Sequence, residues 1–196
     1  MTSLRQDLAL IAAHIPTRAR VLDVGCGDGA LMAELRATKS VDARGLELDP
    51  ANVARCVSQG LVVVQGDAEV DLADYPDQSF DYVILSETLQ TLRRPDQIID
   101  QLLRIGRFAF VSFPNFGHWR VRAHLLMAGR MPMTRLVPIP WYATPNIHHL
   151  TVLDFDAFVS AHGLHVEQRW FMANDRVTGA IAASWRAEHA IYLVRR

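Results

Sequence analysis

The sequence predicts an α/β domain, an open and mainly parallel sheet with helices on both faces. Three observations carry this. Short apolar, often β-branched runs alternate with segments whose apolar residues recur at helical spacing. A glycine-rich turn directly follows the first well-defined apolar run. A chain of 196 residues, 50% hydrophobic and 21% charged, suffices for one sizeable core and matches neither a disordered nor a fibrous composition. Strands separated by helices imply parallel pairing through right-handed crossovers.

Along the chain, Leu4, Leu8, Ile11 and Ile15 recur at helical spacing and predict an amphipathic helix packing on the domain that follows. Asp7 and His14 interrupt this stretch, so it does not read as a secretory signal. Residues 20–25 form a short apolar strand ending in glycine, and residues 30–36 return to helical spacing. Residues 43–48 read as a second strand, Pro50 opens a helix through Val57, and the β-branched residues 61–65 read as a third strand. Residues 80–85 give a fourth strand, 95–103 a helix and 107–113 a fifth strand.

The pattern then changes. Residues 114–151 carry Pro114, Pro132, Pro138, Pro140 and Pro145 among aromatic residues and methionines, and read as an inserted lid or interface segment within a single 1–196 domain. Helical spacing returns at 154–161 with Gly163 as its stop, and residues 164–171 and 190–194 read as two closing strands. A C-terminal antiparallel β-hairpin with a long connection is the simplest arrangement for them.

Composition excludes several functions. A formal net charge of -1 offers no broad positive field for a phosphate backbone, so no nucleic acid partner is expected. No run approaches the ~18 apolar residues of a membrane span. Cys26 and Cys56 lie far apart with no Cys-x-x-Cys companion, which signals neither a disulfide framework nor a zinc site and suits a reducing cytoplasm.

Gly25, Gly27 and Gly29 lie where an open parallel sheet meets ligand, at the carboxyl end of the first strand. Glycine permits both the sharp turn and the close approach of a ligand to backbone. Glu47, about 20 residues on, ends the second strand, where a carboxylate accepts hydrogen bonds from a ribose diol. The same turn also satisfies the dinucleotide fingerprint, so the glycines alone do not choose between ligands. Asp28 inside the turn opposes a pyrophosphate at the helix N-terminus, whereas S-adenosylmethionine (SAM) has no phosphate and carries a cationic ammonium and sulfonium that Asp23 and Asp28 favour. Asp67 follows the third strand, placed to accept from an adenine amino group. Acidic strand ends in series favour SAM over a nicotinamide dinucleotide.

The strings Val21-Leu-Asp-Val-Gly-Cys-Gly-Asp-Gly29, Gly66-Asp67 and Phe80-Asp-Tyr-Val-Ile-Leu85, with Glu47, resemble the class I SAM-dependent methyltransferases as far as about Phe113. Residues 76–86, 111–120 and 144–148 resemble the MetW proteins of methionine biosynthesis over nearly the whole chain. The resemblance implies a Rossmann-like seven-stranded methyltransferase sheet and a role beside a homoserine O-acyltransferase of the MetX type. It implies a site for SAM or S-adenosylhomocysteine formed by Asp23, Gly25, Gly27, Gly29, Glu47, Asp67 and Ser86.

No catalytic base stands out. Ser86-Glu-Thr-Leu-Gln90 lacks the Asn-Pro-Pro-Tyr type of signature, and Glu87 reads as an exposed helix-start carboxylate before a base. His118, His148 and His149 have no nameable partner, and none sits in a metal-binding spacing. Ser86 is in no Gly-x-Ser-x-Gly elbow. Between Phe116 and Tyr142, aromatic residues and methionines mix with Arg120, Arg122, Arg130 and Arg135, a composition of interface cores that a self-packing lid would share. Two functions follow: a SAM-binding partner that senses a methionine-pathway metabolite, and a methyltransferase of an unidentified small molecule.

Overall fold

The structure, a computed structural model, describes residues 4–134 and 138–196. Met1, Thr2, Ser3 and the interface candidate Arg135 lie outside the described residues. Eight strands form one mixed sheet: β1 (Arg20–Val24), β2 (Asp42–Glu47), β3 (Val62–Gln65), β4 (Phe80–Ser86), β5 (Gly106–Pro114), β6 (His165–Ala173), β7 (Arg176–Thr178) and β8 (His189–Arg195). Their order is β3-β2-β1-β4-β5-β8-β6-β7. The first five pair in parallel, whereas β8 runs antiparallel to both β5 and β6. From β1 the chain winds outward to β3 and then returns to β4 on the other side of β1. The crevice between the carboxyl ends of β1 and β4 is therefore a topological switch point, the place where open α/β sheets bind ligands.

Strand alternation divides the core between two faces. On one face Val21, Ile84 and Phe110 pack with Ile11 and Ile15 of α1 (Gln6–His14) and its neighbourhood and with Leu31 and Leu35 of α2 (Ala30–Lys39). On the other, Leu22, Val83 and Val111 meet Ile98, Ile99 and Leu102 of α5 (Pro95–Ile105) and Phe155 of α7 (Val152–Ala161). Burying these large side chains, at roughly 1.5–3 kcal/mol each, makes the two layers the main stabilising contribution. α3 (Pro50–Ser58) covers the β2–β3 edge, with Asp49 capping it through Ala51 N–H at 2.9 Å. The free, buried Cys26 and Cys56 pack with Met32 and Leu61 beneath it.

Two features exceed the sequence expectation. An eighth strand, β7, pairs with the end of β6 across a two-residue turn in which Asn174 and Asp175 both have positive φ, 50° and 60°. That is the backbone of a type I′ hairpin turn, built here without glycine. Within 114–151, Trp119–Ala128 forms a helix, α6, that buries only Val121 and is closed by Gly129 at φ 60°. With no apolar stripe facing the sheet, periodicity does not announce it.

Asn115 joins these peripheral pieces to the sheet. It is completely buried at the end of β5, and its amide donates to the carbonyls of Ala187 (2.8 Å) and Ser184 (3.0 Å), just after and within α8 (Ala183–Arg186). Its carbonyl oxygen accepts from Gly117 N–H (3.0 Å) and Val152 N–H (3.2 Å). Every hydrogen-bonding site of a buried amide is thus used, as low-dielectric burial demands.

Candidate functional site

The turn after β1 is held in left-handed backbone, with φ 71°, 57° and 80° at Gly25, Gly27 and Gly29. A Cβ on Gly25 would lie 2.7 Å from Thr88 Oγ1, and one on Gly29 2.4 Å from Leu61 Cδ1. Both positions therefore require glycine on conformational and steric grounds. Glu47, buried at the end of β2, accepts from Gly27 N–H on one carboxylate oxygen (2.8 Å) and from Asp49 N–H on the other (2.9 Å). The carboxylate thus braces the turn while each oxygen retains further acceptor capacity.

These elements border a cleft of about 720 Å³, within the range of small-molecule sites. Of the seven sequence-derived binding residues, Gly25, Gly27, Glu47, Asp67 and Ser86 line it. The other two do not. Gly29 packs against Leu61 and Cys56, and Asp23 lies buried beneath the turn. Asp28 caps the start of α2 through Ala30 N–H at 3.2 Å and is likewise absent from the lining. Asp67 is fixed at the start of α4 (Ala68–Asp71) by accepting Glu69 N–H at 2.9 Å. Leu48 and Val70, both well exposed, add apolar walls beside Glu47 and Asp67.

The opposite end of the cleft is ionic, and most of its groups are separated widely in sequence. Strand alternation points Asp23, Ser86 and Ser112 toward the face covered by α1. Arg5, preceding α1, holds Asp7 with two 2.8 Å hydrogen bonds, donates to Ser86 Oγ at 3.0 Å and approaches the Glu87 carboxylate at 3.3 Å. Ser86 Oγ donates to Asp7 at 3.1 Å and accepts from Ser112 Oγ at 3.0 Å. Glu87 has φ 52°, uncommon for a residue with a Cβ, and its other oxygen lies 2.8 Å from His189 Nδ1 on β8. Such backbone strain concentrates at functional sites.

The charges answer to these surroundings. Burial pushes the Asp23 carboxyl up to about 7, with Glu47 adding to the shift and the Arg5 guanidinium opposing it. Burial also works to raise Asp7, yet the Arg5 and Ser86 hydrogen bonds outweigh it and hold that carboxyl below its ordinary value. For His189 burial favours the neutral ring, and contact with Glu87 outweighs it to raise the imidazole.

The three sequence-selected histidines stand apart from this cleft. His118 is buried and caps α6, accepting Arg120 N–H at 3.3 Å, with its imidazole held below its ordinary value chiefly by burial. His148 borders an apolar groove with Leu89 and Phe155, and His149 meets the Phe116 ring edge-on at 4.5 Å. Sequence reasoning missed Arg5 and His189. Glu87, read as a solvated carboxylate, instead lines the cleft between the Arg5 guanidinium and the His189 imidazole. Among the described residues, no group of three His, Cys, Asp or Glu side chains is arranged to hold a metal ion, and no helix is long and apolar enough to cross a membrane.

With this geometry in place, comparison with known proteins is informative. A family model described as methionine biosynthesis protein MetW matches residues 5–194. The bifunctional methionine biosynthesis protein MetXA/MetW of Rhodopirellula baltica is 31% identical over 183 residues, 89% of this chain and 29% of that protein. Ajmaline N-methyltransferase of Rauvolfia serpentina is 28% identical over 113 residues, 51% of this chain and 38% of the enzyme. The chain thus spans well under half the length of these curated relatives. A SAM-dependent methyltransferase from Archaeoglobus fulgidus superposes with a TM-score of 0.71 at 14% identity, covering 98% of this chain and 92% of that one. One from Mesorhizobium loti gives 0.69 at 20% identity, covering 97% and 98%. The fold is that of the class I methyltransferases, with β7 as an addition to the seven expected strands.

Proposed function

This chain belongs to the MetW family of methionine biosynthesis proteins, and from that premise we propose that it binds SAM or S-adenosylhomocysteine and supports a homoserine O-acyltransferase of the MetX type. The observation that carries the ligand is the run of Gly25, Gly27, Glu47 and Asp67 around one cleft at the switch point. Glu47 receives the ribose diol on the oxygens that already brace the turn. Leu48 and Val70 supply apolar surface for adenine, whose amino group donates to Asp67. Arg5 offers a guanidinium to the methionyl carboxylate, and the Glu87 carboxylate, which lines the cleft, favours the methionyl ammonium. The fused MetXA/MetW relative supports the partner, since it joins both named parts in one polypeptide.

The test is homoserine O-acyltransferase activity of the MetX-type enzyme alone and with equimolar chain, wild type beside Glu47→Ala. A rise with wild type that Glu47→Ala loses supports a partner role using the nucleoside site. Equal rates throughout overturn it.

A methyltransferase reading is favoured by one observation, the contact between Glu87 and His189 at the end of β4. SAM supplies an electrophilic methyl group when bound. Glu87 is placed to accept a proton from a nucleophile in the cleft, and His189 to stabilise the carboxylate before that transfer. A broad acceptor screen yielding no S-adenosylhomocysteine above background counts against this reading.

A further inference from the structure

An exposed apolar surface lies in the inserted segment. Met131, Met133, Ile139, Trp141 and Tyr142 all border one cavity of about 210 Å³, so they form a continuous patch. Trp141 and Tyr142 remain 74% and 75% exposed, and their rings meet edge-on at 5.8 Å. Large aromatic and methionine side chains are the residues enriched at interface cores, and water-soluble monomers rarely leave several of them together in solvent.

Backbone hydrogen bonds tie the neighbouring stretch to the nucleoside cleft. The carbonyl of Gln90 accepts from both Ile147 N–H (2.8 Å) and His148 N–H (3.0 Å). Gln90 is buried within the 3-10 turn Leu89–Thr91, and Thr88 and Thr91 on either side of it line the cleft. A body seated on the patch thus presses on a segment hydrogen-bonded to the wall of the ligand site.

We infer that the Met131–Met133 and Ile139–Tyr142 patch is the surface on which the acyltransferase docks. This rests on the partner reading above. The occupant follows from the fused relative, in which a MetXA part is covalently attached to a chain like this one. Fusion holds the two parts together at high effective concentration, which favours a contact surface between them. His149 borders the same cavity and directly follows His148, whose N–H bonds Gln90, so docking on the patch also accounts for how a partner senses the cleft.

The experiment measures binding of the full chain to the MetX-type acyltransferase by calorimetry. Three proteins are compared: wild type, Trp141→Ala/Tyr142→Ala, and Val57→Ala, which alters an exposed apolar residue on α3 at the β2–β3 edge. Loss of two central aromatic anchors weakens binding by at least about 30-fold, while Val57→Ala binds as wild type does. S-adenosylhomocysteine binding by the double variant checks that its fold is intact. Wild-type binding that survives the double substitution overturns the docking surface and leaves the partner reading standing. Absence of wild-type binding overturns both. A change confined to self-association in ultracentrifugation, or to flotation with phosphatidylcholine–phosphatidylserine vesicles, assigns the patch to another occupant and overturns the inference.

Discussion

Replacing Glu47 with alanine separates the two duties of this carboxylate. Its oxygens accept Gly27 N–H at 2.8 Å and Asp49 N–H at 2.9 Å, and the proposed ribose diol donates to the same two atoms. Hydrogen bonds to a charged group contribute about 1.5–3 kcal/mol each. Two of them, at the low end because the cleft is open to water, amount to roughly 3 kcal/mol, or about 150-fold in Kd. Loss of the acceptor also leaves two amides short of a partner and lowers stability by about 1–2 kcal/mol. Isothermal titration with S-adenosylhomocysteine and with its 2′,3′-dideoxy counterpart distinguishes the duties. Wild type should prefer the diol ligand by about 150-fold, and Glu47→Ala should bind both ligands as weakly as wild type binds the dideoxy form. An equal loss for both ligands would refute the reasoning, because the substitution would then act by collapsing the turn.

Other residues give equally specific expectations. Gly25→Ala places a methyl group against Thr88 Oγ1 at positive φ and should weaken S-adenosylhomocysteine more than tenfold in the same titration; unchanged affinity would mean the turn relaxes freely. Asp23 keeps its proton in the folded state up to about pH 7, whereas an unfolded aspartate releases it near 3.9. Its burial therefore lowers stability progressively as pH rises between these values and by a constant amount above them. The Tm advantage of Asp23→Asn over wild type should grow from pH 4 to 7 and then level off, and a pH-independent difference would refute this. Glu87→Gln removes the charge that raises His189, so the imidazole pKa followed by NMR should fall; an unmoved value would show that the 2.8 Å contact is not an ion pair. Asn115→Ala strands four buried partners and should lower stability by about 3–4 kcal/mol in urea unfolding, with a loss under 1 kcal/mol contradicting the joint described here.

The parts of the site contributed by consecutive strand ends were readable from sequence, because each is marked locally. Gly25, Gly27, Glu47 and Asp67 all sit at or just after the end of a short strand-like run, and topology then brings those ends to one crevice. Arg5 and His189 carry no such mark. They reach Glu87 only because α1 covers one sheet face and β8 inserts beside β5. Periodicity reports burial along a single element and is silent about convergence between elements distant in the chain. The same limit explains Asp23 and Gly29, whose places in the motif are clear but whose side-chain surroundings, burial and packing, keep them out of the cleft lining. It also explains α6, which hides one residue, and β7, whose Asn-Asp turn lacks the glycine that usually signals a two-residue hairpin.

Asn115 also governs how this fold tolerates exchange of parts. The insert enters at Gly117, the next helix begins at Val152, and the carbonyls of Ser184 and Ala187 precede the last strand, yet all four backbone groups converge on one amide. A segment grafted from a relative between residues 116 and 151 therefore brings its own contacts but not its own anchorage. The recipient must present asparagine at the end of β5, and carbonyls at the spacing of 184 and 187, for the graft to seat. Recombination across this boundary is constrained by a single side chain 36 residues away from the far junction.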